Sequence, residues 1–132
     1  MRAEDYAEIQ QLLARYCHIV DSKSWDHLAD VFTGDASMSV AGIHDAHTGL
    51  DALRELYGVK MNHPLAHNST CVVVAEESES EARLVSKWIT IRVDGQAGAG
   101  VYEDHVVRTD DGWRIRRRMA TPLSPVPKSK HR

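Results

Sequence analysis

The sequence predicts an α+β fold, with helices packed against one face of a curved antiparallel sheet and a pocket left between the first helix and that sheet. Three observations carry this reading. Apolar residues recur at helical spacing through residues 4–20. The second half reads as a succession of strands separated by turn residues. No internal repeat or second domain interrupts the 132 residues, a length that suits one domain.

Each element has its own signal. In the first helix Ile9, Leu12, Leu13, Tyr16, Cys17 and Val20 share a face. Ser24 is placed to cap a second, short helix with Asp26 in its first turn, Leu28, Val31 and Phe32 on its buried side, and Gly34-Asp35 at its end. Ala36 to Ala41 alternates as a short strand with Met38 and Val40 on one face, and Gly42 to Gly49 reads as a loop carrying His44 and His47. A third helix spans Leu50 to Val59, with Leu53, Leu56 and Tyr57 on one side and His63-Pro64 at its exit. Strands follow over 65–76 and 82–93, then a glycine-rich link through Gly95, Gly98 and Gly100. The last two strands, 101–108 and 113–119, flank Asp110-Asp111-Gly112, a strong hairpin signal. The domain is drawn as residues 1–122, and the Pro- and Lys-containing residues 123–132 as a flexible tail.

Composition narrows the partners. Hydrophobic residues make up 42% of the chain, enough for one sizeable core, and 16 basic against 19 acidic residues give a net charge of -3. That balance gives no reason to expect nucleic acid or an anionic membrane as partner. The basic run Arg114, Arg116, Arg117 and Arg118 reads as a strand with one solvated face. The acidic start of the chain has no apolar signal region, and no apolar run is long enough to cross a bilayer. Cys17 and Cys71 form no CxxC pair and read as small buried hydrophobes in a reducing compartment, so the expected location is the cytoplasm.

Asp21 and His67 are the most informative residues. Asp21 ends the apolar helical repeat, four residues beyond Cys17, and His67 begins an apolar strand, sharing a face with Ser69, Cys71 and Val73 in regular alternation. Each has a bland reading, the aspartate as a hinge or cap and the histidine as a satisfied strand-end residue. In contact they form a tool. A carboxylate holding one ring nitrogen leaves the other free to take a proton, and histidine cycles near neutral pH. Tyr16, more than a helical turn before Asp21, reads as a core aromatic or as a hydrogen-bond donor to a carbonyl or enolate oxygen. Tyr57 and Trp88 read as core or pocket lining. Asp104 and His105 are adjacent on one strand, so only one of them reaches the cavity. Eight histidines invite a test for metal. His44 and His47, or His63 and His67, lack a clear third ligand and HExxH is absent, so no metal is expected. GxGxxG, GxxxxGK[ST] and GxSxG are also absent, which gives no support to a nucleotide cofactor or a serine nucleophile.

Taken together, Leu13-Ala14-Arg15-Tyr16, Asp21, Trp25-Asp26, Leu28, Phe32, Asp35-Ala36, the strand histidine His67, Tyr102 and Asp111-Gly112-Trp113-Arg114-Ile115 resemble the SnoaL-like branch of the nuclear transport factor two-like superfamily. The resemblance covers roughly residues 5–120. It implies an α+β cone, a strongly bent sheet wrapped around a long N-terminal helix. Relatives include polyketide cyclases, scytalone dehydratase, lindane dehydrochlorinase, bile-acid dehydratase, ketosteroid isomerase and dioxygenase β subunits, so the motifs specify fold better than activity. Asp21 and His67 match the aspartate–histidine pair of the dehydratase and the dehydrochlorinase. Three departures stand beside that match. No second histidine lies between Arg83 and Val93, and Val40 stands where the dehydratase has a tyrosine and near the position of the isomerase's base. The resemblance also implies that His105 lies near an isomerase oxyanion acid, and Arg108 near an arginine that helps to bind a leaving anion.

The sequence therefore leads to a cofactor-independent, dehydratase-like lyase or cyclase acting on a small apolar carbonyl compound. Asp21, His67 and Tyr16 are the catalytic candidates, and Val40, Tyr57, Trp88, His105 and Arg108 the substrate-binding ones. The alternatives are a non-catalytic ligand-binding module, a ketosteroid-isomerase-like isomerase and a subunit of a larger oxygenase. Relatives often pair through the sheet, which implies a homodimer, with a homotrimer as the alternative. The substrate itself is not readable.

Overall fold

The first helix, α1 (Ala3–Asp21), buries Ile9, Leu12, Leu13, Tyr16, Cys17, Ile19 and Val20 along one side, as its spacing dictates. The computed structural model describes residues 1–123, so the tail expected over 123–132 lies, but for Leu123, outside the described residues. At the start of α1, Asp5 accepts the backbone N–H of Arg2 at 2.9 Å and the indole N–H of Trp113 at 3.1 Å, tying the helix to the last strand. At its end the N–H groups of Lys23 and Ser24 bond back to the carbonyls of Val20 and Ile19. Lys23 takes the left-handed conformation (φ 56°). This is a Schellman closure, usually built on glycine, and it fixes Asp21 as the last helical residue.

A short 3₁₀ helix (Trp25–Asp30) follows, with Leu28 buried. Ser24 does not cap it through its side chain; its hydroxyl meets that of Ser22 at 2.7 Å. Phe32, Gly34 and Asp35 belong to strand β1 (Phe32–Val40) rather than to a helix, and the expected His44/His47 loop is strand β2 (His44–Thr48), hairpinned onto β1. Helix α2 (Leu50–Glu55) loosens into a π turn (Leu56–Lys60), so the third helix ends in a wider coil than α-helical periodicity implies.

The remaining strands are β3 (Ala66–Glu77), β4 (Glu81–Ile91), β5 (Ala97–Thr109) and β6 (Gly112–Pro122). The glycine-rich link is largely the start of β5, paired with β4 as far as Ile91↔Ala97. Together they form one curved six-stranded sheet ordered β2-β1-β6-β5-β4-β3. The sheet is mixed: β1 runs parallel to β6, and the other neighbours are antiparallel. Closing β1 onto the last strand completes a wall around α1, whose apolar side packs against Phe32, Leu84, Val106, Trp113 and Ile115.

Two buried-face expectations are corrected. In β3 the pairing with β4 slips between Thr70 and Val73, where Cys71 has φ 54°. This bulge reverses the strand's phase, so Val72 and Val74 turn inward while Cys71 and Val73 are exposed. In β6 Arg118 is 0% exposed, because Asp104 on β5 meets its guanidinium with two bonds, Nε–Oδ1 2.7 Å and Nη2–Oδ2 2.9 Å.

Candidate functional site

The Schellman closure of α1 and the start of β3 meet at the mouth of the cone. The carboxylate of Asp21 accepts His67 Nδ1–H at 2.6 Å and the His67 backbone N–H at 3.1 and 3.0 Å. A carboxylate only accepts, so Nδ1 carries the hydrogen and Nε2 is left as the free, basic nitrogen. The His67 side chain is 9% exposed and that of Asp21 29%. The same three bonds fix the ring's position, its tautomer and the place of His67, the second residue of β3.

His67 lines a cavity of about 260 Å³ whose walls include Tyr16, Val40, Tyr57, Trp88 and Tyr102. The phenols of Tyr16 and Tyr57 lie 2.8 Å apart, so one donates to the other and one hydrogen remains for a third group. Burial raises the pKa of both against the charge of Arg118; the Tyr16 phenol raises that of Tyr57 further, while the hydrogen bond with Tyr57 lowers that of Tyr16 without undoing the effect of burial. Both therefore stay protonated donors. Trp88 reaches its place because Gly100 faces it on β5: a Cβ there would sit 2.1 Å from the indole ring. Arg118 packs its guanidinium carbon 4.3 Å from the Tyr16 ring centre and 3.7 Å from that of Tyr102. The buried Arg118–Asp104 pair thus supports the aromatic wall from beneath.

Two predicted binding residues lie elsewhere. Asp104 takes the inward position that pairs with Arg118, so His105 points out and meets Glu81 at 3.1 Å, in a separate surface cleft with Arg83 and Arg117. Arg108 bonds Asp5 at 2.9 Å and covers Trp113 at 4.8 Å. Those partners sit at the opposite end of α1 from Asp21, about 24 Å along the helix at ~1.5 Å per residue. Neither side chain lines the cavity.

Other residues enter the site that the sequence pattern does not place there. His63 stacks on Tyr57 (5.7 Å, 9°) and against Trp25 (5.1 Å), with its ring centre 6.3 Å from that of His67. Its Nε2–H donates to the Tyr57 carbonyl at 2.7 Å, which leaves Nδ1 as the acceptor. Burial lowers its pKa, against the pull of that carbonyl, and holds the ring neutral at neutral pH. The π turn before it has no sequence signature, so nothing local pointed to it. Thr90, Arg92 and Tyr102 also line the cavity. Strand alternation from Trp88 was the available signal for the first two. Among the described residues no three His, Cys, Asp or Glu side chains gather as a metal site, and no helix is long and apolar enough to cross a membrane.

A helix-held aspartate, a strand histidine and an apolar cavity inside a curved mixed sheet define the SnoaL-like branch of the nuclear transport factor two-like fold. The chain belongs to the SnoaL-like domain family, whose model matches residues 1–119. It is 33% identical over 124 residues to Rv2910c, an uncharacterized protein of Mycobacterium tuberculosis, covering 89% of this chain and 84% of that one. Among solved structures it is similar to a candidate aromatic ring hydroxylase of Novosphingobium aromaticivorans (30% identity, TM-score 0.80, 95% and 93% of the two chains). It is also similar to a candidate scytalone dehydratase of the same organism (25% identity, TM-score 0.71, 91% and 85%).

Proposed function

We propose that the chain is a cofactor-independent, dehydratase-like lyase or cyclase acting on a small apolar carbonyl compound. The observation that carries this reading is the Asp21-held His67, with its free Nε2, in the wall of an apolar cavity. In the proposed reaction Nε2 takes a proton from the carbon next to the carbonyl, and Asp21 stabilises the imidazolium that results. The electron pair moves onto the carbonyl oxygen, which the Tyr16–Tyr57 phenols receive. The pair then returns to form the C=C bond as the β-hydroxyl leaves, taking the proton from His67 to depart as water. Attack of the same enolate on a second carbonyl gives ring closure instead. The likeness to a structure named as a candidate scytalone dehydratase supports the first outcome.

A homodimer paired through the outer face of the sheet is part of the proposal, supported by Val73, Val85, Ile89 and Ile91 exposed there. So is a cytoplasmic location, supported by both cysteines being free.

The test is deuterium uptake from D₂O by a panel of cyclic and β-hydroxy ketones, followed by NMR and mass, with Asp21→Asn as control. Uptake or loss of water that falls about 10²-fold or more in the variant supports the dyad as a working base. Binding without uptake by any ketone of the panel rejects catalysis in favour of a ligand-binding module and leaves Asp21 as a structural link.

A further inference from the structure

Strand β4 sends alternate side chains into the cone: Ala82, Leu84, Ser86, Trp88 and Thr90. The next residue in phase is Arg92, one position beyond the strand's end. It lines the 260 Å³ cavity with Trp88 and Thr90. It also lines an adjoining open cleft of about 520 Å³, which shares Asn62, His63, Pro64 and Thr90 with the cavity. Arg92 therefore stands where the apolar interior opens to solvent.

Its charge has not been used by the fold. By contrast, Arg118 is committed to Asp104 and Arg108 to Asp5. The Arg92 guanidinium enters no ion pair or side-chain hydrogen bond among the described residues; only its backbone bonds, to Gln96 and Gly95. The acid nearest in sequence, Asp94, also lines the cleft, but its Oδ1 accepts the Gln96 N–H at 3.0 Å within the turn. His63, on the same rim, is kept neutral by burial. A guanidinium at the open end of an apolar slot matches a planar anion, which it grips with two parallel bonds.

We infer that the ligand of this site is an apolar ring compound bearing a carboxylate, its body in the inner cavity and its carboxylate on Arg92. The inference rests on the reading of the cavity as the substrate site and names the class of substrate. It assigns Arg92 to specificity and not to proton transfer.

The experiment compares the binding of 2-naphthoate, its methyl ester and 2-naphthyl phosphate to the full chain by calorimetry or ligand-observed NMR. Wild type, Arg92→Gln and Arg92→Lys are used. Arg92 is exposed, so both variants should fold, and circular dichroism checks this. Wild type should bind the acid about tenfold more tightly than the ester, the Gln variant should lose that preference, and the Lys variant should keep part of it. Equal binding of acid and ester, binding of neither, or a preference that survives in Arg92→Gln overturns the inference. Tighter binding of the phosphate than of the carboxylate also overturns it. The exchange assay above uses uncharged ketones. Exchange without carboxylate preference therefore rejects this inference alone, and preference without exchange rejects the catalytic reading alone.

Discussion

Replacing Gly100 by alanine should damage the cavity wall in a way that can be worked out from the structure. The new methyl carbon would lie 2.1 and 2.3 Å from two carbons of the Trp88 ring and 2.5 Å from the Thr121 carbonyl oxygen. Ordinary carbon contacts lie near ~3.5 Å, so the indole must retreat by about 1.4 Å. It retreats against Tyr102, whose ring centre is 6.0 Å away. Overpacking of this kind costs about 1–3 kcal/mol, and the unyielding Thr121 backbone points to the upper end. The restricted unfolded chain returns about 0.4–1 kcal/mol, leaving a net loss of about 2 kcal/mol. For a domain of this size that lowers Tm by about 8 °C. Urea unfolding followed by tryptophan fluorescence measures it. In a Trp88→Ala background the penalty should fall to about 1 kcal/mol, the share due to Thr121. A neutral Gly100→Ala, or an identical penalty with and without Trp88, would refute the placement of the indole over Gly100, and with it this wall of the cavity.

Three further outcomes follow from the geometry. Lys23→Gly should stabilise the fold by about 0.5–1 kcal/mol, since glycine occupies the left-handed closure of α1 without strain, measured as a shift in urea midpoint. Tyr57→Phe and Tyr16→Phe should each cost about 1 kcal/mol, and the double variant little more than either single one, because both break the same 2.8 Å bond. The Asp5 carboxyl is held at about 2, down from 3.8, first by the Arg2 backbone N–H and then by Trp113, with Arg108 adding to both against desolvation. The folded-state value is depressed, so its stabilisation is present above the unfolded value and is lost as pH falls from about 4 towards 2. Asp5→Asn should flatten the acid limb of a plot of unfolding midpoint against pH.

The long helix, the last hairpin and the Asp21–His67 contact were legible because each rests on local pattern or on a motif. Ile9 to Val20 spell out one helical face, and Asp110-Asp111-Gly112 spells out a turn in which Gly112 has φ 108°. What was not legible depends on irregular backbone or on partners far apart in sequence. Regular alternation carried from His67 puts Cys71 and Val73 inside, and one bulge turns both out. His63 joins the site through a π turn that α-helical periodicity does not encode. Arg118 sits in a basic run that reads as solvated, and only the register of β5 against β6 places Asp104 opposite it. That same register sends His105 outward.

The proposed mechanism depends above all on His67 acting as the base of the cavity. Chemical rescue tests it most directly. α-Deuteration of the most reactive ketone is measured in wild type and in His67→Ala, with and without added imidazole. Removing a side chain that is 9% exposed leaves an imidazole-sized space beside Asp21. Exchange should collapse by about 10²-fold or more in the variant, and free imidazole should restore part of it in proportion to its concentration. Exchange in His67→Ala at the wild-type rate, with no response to imidazole, would contradict it.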